Sequence, residues 1–151
     1  MTSLLTLEPG AATLLGMMTG RCLCGSITFE AEDVESDHHA CRCGMCRRWS
    51  GGAAFLGASC ASVRFDSEER LGRYASSAWA ERGFCTACGT TLFYFLKPTG
   101  AYVMSVGAFD DETRFRLVRE IFIDCKPPGH SFAGDHERWT EEETFARLTP
   151  G

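Results

Sequence analysis

The sequence predicts a mainly β fold of single-domain size, and three observations support this prediction. The chain has 151 residues, of which 44 % are hydrophobic, and this suits one domain around a single core. Its 16 Gly and 11 Phe are typical of a compact β-rich domain with many turns. Short stretches rich in β-branched and aromatic residues recur between turn signals, as strands do. We expect one domain over residues 19–151, preceded by an N-terminal extension over residues 1–18.

The predicted strands follow one another through most of this domain. Ile27 and Phe29 alternate with Thr28 and Glu30, as in a strand with one buried face. The run 92–96 is nearly all apolar and suits a strand buried on both faces. Strands are predicted at residues 26–31, 53–58, 62–65, 72–76, 78–84, 91–97, 101–106 and 117–124.

One helix is predicted near the end of the chain. Thr140 is followed three residues later by Glu143, which matches a capping box. The acidic residues 141–143 would lie at the positive end of the helix dipole. The apolar side is thin, since it consists of Phe145 and Leu148, so we expect a short helix.

Seven of the nine cysteines fall into three clusters whose spacings allow short segments to chelate a metal. Four thiolates close a tetrahedral structural zinc site, whereas three leave one coordination position open. Seven sulfurs therefore suit one closed and one open zinc site, with chemistry expected at the open one. The clusters are Cys22-x-Cys24, Cys41-x-Cys43-x-x-Cys46 and Cys85-x-x-Cys88.

The first and third clusters together predict the closed site, because each is followed by a glycine that can take the left-handed conformation, Gly25 and Gly89. Cys-x-Cys at the start of a strand would place both sulfurs on one face. Two alternatives remain open. The pair Cys43 and Cys46 could join Cys85 and Cys88 in a zinc-ribbon arrangement, or the central cluster of Cys41, Cys43 and Cys46 could hold an iron–sulfur cluster.

The central cluster lies in a basic patch within an acidic chain. Arg47 and Arg48 are predicted to bind a carboxylate of the substrate, because guanidinium forks suit carboxylates; Arg42 belongs to the same patch. The alternative is that these arginines are solvated surface groups. His38 and His39, just before the cluster, are either polar loop residues or a source of a fourth ligand or a proton shuttle.

The remaining cysteines and the tryptophans have simpler interpretations. Cys60, flanked by small residues, is expected to be a small buried residue. Cys125 lies in an Asp-Cys-Lys-Pro-Pro turn, where a ligand role is the alternative to a partly exposed thiol. Tryptophans are expected to pack in the core or at its rim, at Trp49, Trp79 and Trp139.

The charge disfavours several classes of partner. The formal net charge is −5, and metal-bound thiolates would make it more negative. An acidic chain is a poor match for nucleic acid and for anionic membrane surfaces. Residues 1–18 lack a basic start and a clean cleavage site, and no apolar run approaches the length of a membrane span. Clustered cysteines that bind metal are typical of a reducing compartment, so we expect a cytoplasmic protein.

Four segments, in order along residues 20–128, resemble the glutathione-dependent formaldehyde-activating enzyme (GFA) family, which also includes centromere protein V. They are Gly20-Arg21-Cys22-Leu23-Cys24-Gly25-Ser26-Ile27, Cys41-Arg42-Cys43-Gly44-Met45-Cys46-Arg47-Arg48, Gly83-Phe84-Cys85-Thr86-Ala87-Cys88-Gly89-Thr90-Thr91-Leu92 and Val106-Gly107-Ala108-Phe109-Asp110-Asp111. Two positions differ from the usual pattern of this family. Arg42 stands where many members have His, and the stretch from Asp124 to His130 lacks the usual Trp. Both differences bear on the substrate more than on zinc.

The resemblance implies an Mss4-like complex of short antiparallel sheets around two Zn²⁺ ions. It implies a structural zinc held by Cys22, Cys24, Cys85 and Cys88, and a catalytic zinc held by Cys41, Cys43 and Cys46. The activity implied is the condensation of formaldehyde with glutathione to S-hydroxymethylglutathione, which is classed as a carbon–sulfur lyase in the reverse direction.

We therefore predict a zinc-dependent carbon–sulfur lyase-type enzyme acting on adducts of a small thiol, such as glutathione, and a small aldehyde. One alternative is a non-catalytic zinc-binding module that interacts with a protein. The centromere-protein branch would favour a basic extension, but residues 1–18 contain no Lys or Arg. A second alternative is a metal or redox sensor.

Overall fold

The computed structural model describes residues 13–148, which are mainly β with two short α-helices. The helices are α1, Gly44–Ser50, and α2, Glu141–Leu148. Short 3₁₀ helices occur at Val106–Ala108, Glu112–Arg114 and Ile123–Cys125. The strands are β1 Met18–Arg21, β2 Thr28–Glu32, β3 Asp37–Cys41, β4 Phe55–Cys60, β5 Ser62–Phe65, β6 Leu71–Ala75, β7 Ala80–Cys85, β8 Thr91–Leu96, β9 Ala101–Ser105, β10 Arg116–Ile121 and β11 Glu137–Arg138.

These elements form two compact units. The described part of the first unit consists of residues 13–37 and 57–116, and that of the second consists of residues 38–56 and 117–148. The predicted extension falls largely on residues 1–12, which lie outside the described residues, so its boundary stays a prediction. Leu15, within the predicted extension, already belongs to the first unit, and its backbone N–H donates to the carbonyl of Val34 at 2.7 Å.

The first unit is built from two antiparallel sheets. One sheet has the strand order β1-β2-β5, with Phe29 opposite Phe65. In the other, the part of β4 from Gly57 onward pairs with β9, and β9, β8, β7 and β6 follow as successive neighbours. Every one of these pairs is antiparallel, as short strands joined by short turns allow.

Apolar side chains from both sheets form the core of the first unit. Leu92, Phe93 and Met104 are fully buried, and Phe29 meets Phe109 edge to face with ring centroids 5.5 Å apart. The sequence-based expectation that the 92–96 strand is buried on both faces holds for Leu92 and Phe93, whereas its last three residues are half-buried.

The second unit contains β3, α1, β10, β11 and α2. Strand β10 has β3 on one side and pairs with β11 in parallel on the other. Helix α1 packs an aromatic ring on the start of β4, since Trp49 and Phe55 have centroids 5.1 Å apart. No helix in the described part of the chain is both long and apolar enough to cross a bilayer.

The helix predicted near the end of the chain is confirmed together with its capping box. The backbone N–H of Thr140 donates to Glu143 Oε1 at 2.8 Å, and the N–H of Glu143 donates to Thr140 Oγ1 at 3.1 Å. Strands β1, β3 and β11, helix α1 and the three 3₁₀ helices were not predicted. Strand β3 has the polar sequence DHHAC and includes His38 and His39, for which loop positions were one expectation, and α1 begins inside the central cysteine cluster.

Candidate metal centres

Four sulfurs from distant parts of the first unit lie together. The Sγ atoms of Cys22, Cys24, Cys85 and Cys88 are all within 4.8 Å of one another. Cys24 Sγ lies 3.6 Å from Cys22 Sγ and 3.9 Å from Cys85 Sγ. Four Zn–S bonds of about 2.3 Å in a tetrahedron require sulfurs roughly 3.8 Å apart. The spacing and the all-thiolate chemistry of this four-cysteine group fit a closed zinc site.

Tight turns bring the four sulfurs of this group together. Cys22 and Cys24 lie in the turn that joins β1 to β2, rather than at the start of a strand as the sequence suggested. Gly25 closes this turn at φ +81°, and its N–H donates to the carbonyl of Cys22 at 3.1 Å. Gly89 follows the second pair at φ +82°, so both glycines adopt the left-handed conformation that the sequence predicted.

Hydrogen bonds to sulfur lower the pKa of two thiols of the four-cysteine group, Cys24 and Cys88, whereas burial raises that of Cys22. Cys85 Sγ accepts from the backbone N–H of Ala87 at 3.3 Å and of Cys88 at 3.4 Å. The hydroxyl of Thr90 lies 3.1 Å from Cys88 Sγ and lowers the pKa of that thiol to about 5. The hydroxyl of Ser26 likewise lowers the pKa of Cys24. Donors around the sulfur favour its charged form, which is the form that binds metal.

Three further sulfurs come together in the second unit. The Sγ atoms of Cys41, Cys43 and Cys46 are within 4.8 Å of one another. Cys41 ends β3, Cys43 is the N-cap residue of α1, and Cys46 is buried in the first turn of that helix. The backbone N–H of Cys46 donates to Cys43 Sγ at 3.4 Å. The end of a strand and the start of a helix thus converge to make a three-cysteine group.

The three sulfurs of the three-cysteine group lie so close together that the pKa of each thiol depends on the charge of the others. Hydrogen bonds from Cys41 and Cys46 lower the pKa of Cys43, so the negative charge of the group is most favourable on this sulfur. The same contact with Cys43 raises the pKa of Cys41, because two neighbouring sulfurs resist carrying charge together. A divalent cation would compensate the charge of all three thiolates, and a ligating thiol is deprotonated outright.

The three-cysteine group contains no fourth protein ligand within the described part of the chain. His39, a candidate in the sequence, directs its Nε2 at Nη1 of Arg119, 3.1 Å away. Because arginine only donates, His39 Nε2 must accept, and the lone pair that would bind a metal is occupied. Cys125 lies in a short 3₁₀ helix, outside both groups, with its sulfur 3.9 Å from Glu141 Oε1.

The basic residues of the cluster lie in different environments. Arg48 is exposed on α1, and Arg47 is half-buried with its Nε donating to the carbonyl of Arg42 at 2.8 Å. A Cβ placed on Gly44 would lie 3.8 Å from Arg47 Nη2, so this guanidinium folds back toward the start of α1. Arg42 is fully buried and is not part of a surface patch.

The structure also reveals a buried ionic cluster that the sequence analysis did not find. Arg42 Nε donates to Glu120 Oε1 at 2.7 Å, and these side chains are 0 % and 1 % exposed. Glu120 Oε2 also contacts His136 and Arg138. Glu120 lies 78 positions from Arg42 in the sequence, and no spacing rule links residues so far apart.

The other candidates from the sequence take packing positions. Cys60 is buried, and its burial raises the pKa of the thiol to about 12. Trp139 is buried, with the guanidinium carbons of Arg119 and Arg147 at 4.0 and 4.6 Å from its ring centroid. Trp79 is half exposed just before β7.

Fold and sites together define a mainly β protein with two cysteine-rich groups that could each hold a zinc ion. The family model described as "Glutathione-dependent formaldehyde-activating enzyme" matches residues 17–125. The chain belongs to this family, as its cysteine clusters and flanking glycines suggested.

The chain is also similar to two other proteins. The chain is 34 % identical over 131 residues to an uncharacterized lyase of Schizosaccharomyces pombe, a match that covers 85 % of this chain and 95 % of the relative. A crystal structure of a Rhodobacter sphaeroides protein has a TM-score of 0.55 and 23 % identity, covering 82 % of this chain and 100 % of the other. At this identity the likeness shows the fold.

Proposed function

We propose that this chain is a zinc-dependent carbon–sulfur lyase-type enzyme that makes and breaks adducts of a small thiol, such as glutathione, with formaldehyde or another small aldehyde. The observation that carries the proposal is the contrast between the two metal centres. One group offers four sulfurs, whereas the other offers three and no further protein ligand among residues 13–148. A position left open for a substrate is the mark of a catalytic rather than a structural zinc site. The family and the relative named as a lyase support the same reaction class.

The roles of the cysteines follow from this contrast. Cys22, Cys24, Cys85 and Cys88 would hold the structural zinc, and Cys41, Cys43 and Cys46 would hold the catalytic one. Zinc at the second group would supply a Lewis acid that lowers the pKa of a thiol or polarises a carbonyl oxygen. In the reaction a carbon–sulfur bond forms between the thiol sulfur and the aldehyde carbon, and the thiol proton passes to the aldehyde oxygen. The reverse reaction breaks that bond.

Arg47 and Arg48 are the residues that we propose to hold a carboxylate of the thiol substrate. Both lie on α1, one and two positions after Cys46. The bond from Arg47 Nε to the carbonyl of Arg42 holds the stem of that side chain, so its terminal N–H groups point in a restricted direction. An arginine whose geometry is already restrained loses less entropy when it binds a carboxylate.

The proposed compartment is the cytoplasm. None of the nine cysteines forms a disulfide, and seven of them are gathered into the two candidate metal groups. A reducing compartment keeps such thiols available to metal.

The test follows adduct formation by NMR exchange between formaldehyde and a panel of thiols. The zinc-loaded protein should accelerate exchange above the spontaneous rate for at least one thiol, and Cys43→Ser should abolish the acceleration. Replacing Arg47 and Arg48 together by Ala should raise KM about tenfold for glutathione, because a charged hydrogen-bonded contact is lost. The same change should leave 2-mercaptoethanol, which has no carboxylate, unaffected.

Arg114→Ala is the matched control, since Arg114 is an exposed arginine in the first unit. Equal effects of the double variant on both thiols would exclude the carboxylate role. No acceleration with any thiol would contradict the proposed activity and favour a non-catalytic zinc-binding module.

A further inference from the structure

The Glu120 carboxylate is buried near the end of β10, at 1 % exposure, and both of its oxygens have partners. Oε1 accepts from Arg42 Nε at 2.7 Å, while Oε2 contacts His136 Nε2 and lies 3.2 Å from Arg138 Nε. Burial alone would raise the pKa of Glu120, but the bonds from His136 and Arg42 outweigh it and leave this pKa lowered. Glu120 is therefore a buried carboxylate that stays charged.

Arg42 connects this carboxylate to the metal ligands. It stands between Cys41 and Cys43, so its backbone is the link that joins the end of β3 to the start of α1. Its N–H donates to the carbonyl of Ile121 at 3.0 Å, next to Glu120. Both the backbone and the side chain of Arg42 are thus held against β10. Because Cys41 and Cys43 are its neighbours in the chain, these contacts also restrict where their sulfurs can lie.

The other contacts of Arg42 fix the orientation of its guanidinium group. Nη1 donates to the carbonyl of Ala53 at 2.8 Å and to His130 Nε2 at 2.7 Å, where the ring nitrogen accepts because arginine has no acceptor atom. The guanidinium carbon lies 3.9 Å from the ring centroid of Phe132. A guanidinium held on three sides cannot rotate without breaking buried contacts.

Glu120 also ties a second segment to the same point. His136 and Arg138 contact its Oε2, and His130 and Phe132 contact Arg42, so residues 130–138 are attached at both ends to one ion pair. Arg138 further donates to the carbonyl of Phe132 at 3.0 Å. Charge on Glu120 thus holds together three parts of the second unit: the cysteine cluster, β10 and the 130–138 segment.

We propose that Glu120 and Arg42 are the positioning residues of the three-cysteine group, holding Cys41 and Cys43 in the arrangement that binds metal. The proposal rests on that group's being a metal site, as in the proposed function, but not on the reaction that the metal serves. Groups behind the ligands of a metal site set their orientation, and their replacement typically costs 10–100-fold in metal affinity.

The experiment measures Co²⁺ affinity by the thiolate-to-metal absorption of the full chain, in competition with a chelator. Two classes of site are expected, and the class that disappears in Cys43→Ser is assigned to the three-cysteine group. Glu120→Gln keeps the shape of Glu120 but removes its charge. It should weaken Co²⁺ at the three-cysteine group by about 10–100-fold and leave the four-cysteine group unchanged.

Glu137→Gln is the matched control. Glu137 lies on β11 and pairs with Arg119 at 2.9 Å, but it does not contact Arg42, so both Co²⁺ affinities should stay at the wild-type values. Arg138→Met is a second variant for the case in which Glu120→Gln does not fold. This substitution removes a partner of Glu120, the Arg138 side chain, which is 37 % exposed. It should weaken Co²⁺ binding at the three-cysteine group by a smaller factor than Glu120→Gln does.

An unchanged affinity of the three-cysteine group in both variants would overturn the proposal, and so would an equal loss at both groups, which would indicate general destabilisation. These outcomes are distinct from failure of the proposed function. Absence of thiol–aldehyde exchange with wild-type Co²⁺ affinities would leave the positioning role standing.

Discussion

At the scale of single residues, the position of Cys85 explains why we expect serine to be a poor replacement for a cysteine of the four-cysteine group. Its sulfur is completely buried and accepts two backbone N–H groups, and it lies within reach of three other sulfurs. We predict that Cys85→Ser loses one of two bound zinc ions and several kcal/mol of stability, because a structural zinc contributes its binding energy to folding. Metal analysis and chemical denaturation measure the two effects.

Cys125→Ser is the control for this change. Cys125 lies outside both cysteine groups, so the variant should keep two zinc ions and near-wild-type stability. Retention of both ions by Cys85→Ser would contradict the assignment of the four-cysteine group.

The burial of Arg42 could not be predicted from the sequence. The sequence placed Arg42 in a basic patch with Arg47 and Arg48, because all three arginines lie in or next to the central cysteine cluster. In the structure it is completely buried on Glu120, a partner 78 positions away. Sequence spacing identified the ligands, since each cluster is local, but it could not identify a buried ion pair that only the tertiary fold brings together.

At the scale of elements, strand β7 depends on the absence of a side chain at Gly83. A Cβ at this position would lie 2.2 Å from the ring of Phe93, which is opposite it on β8, and the register shifts between Gly83 and Phe84. We predict that Gly83→Ala destabilises the protein by about 1–3 kcal/mol, as overpacking of a core does. Gly107→Ala, where a Cβ would meet nothing within 4 Å, is the control in the same unit. Equal stabilities of the two variants in urea would show that the ring moves aside at little cost.

The capping box of α2 gives a second prediction for an element. Thr140→Ala removes the acceptor for the N–H of Glu143 and should cost about 1 kcal/mol of unfolding free energy. Denaturant titration measures this loss, with Glu142→Ala, an exposed position in the same turn, as the reference. If both variants unfold at the same denaturant concentration, the cap does not stabilise the protein.

The two α-helices also show what could be predicted from sequence. Thr140 and Glu143 have the spacing of a capping box, and this signal was sufficient to predict helix α2 from the sequence. Helix α1 has only seven residues and is capped by the sulfur of Cys43, which is not among the usual capping residues. Strand β3 has a polar sequence without a clear alternation, so its pairing with β10 had no local signature.

At the scale of the whole molecule, each of the two units contains one cysteine group. The four-cysteine group joins β1 and β2 to the end of β7 across 61 positions, so a metal there would close a large loop of the first unit. The three-cysteine group lies within six consecutive positions and closes no long loop. We therefore expect a metal at the four-cysteine group to stabilise the fold and a metal at the three-cysteine group to exchange more readily.

The most direct test of this account is the zinc content of the purified chain together with the kinetics of zinc release to a chromophoric chelator. We predict two zinc ions per chain, one released rapidly from the three-cysteine group and one slowly from the four-cysteine group, with the rapid phase absent in Cys43→Ser. A single tightly held zinc, or two that leave at one common rate and are both retained in Cys43→Ser, would contradict it.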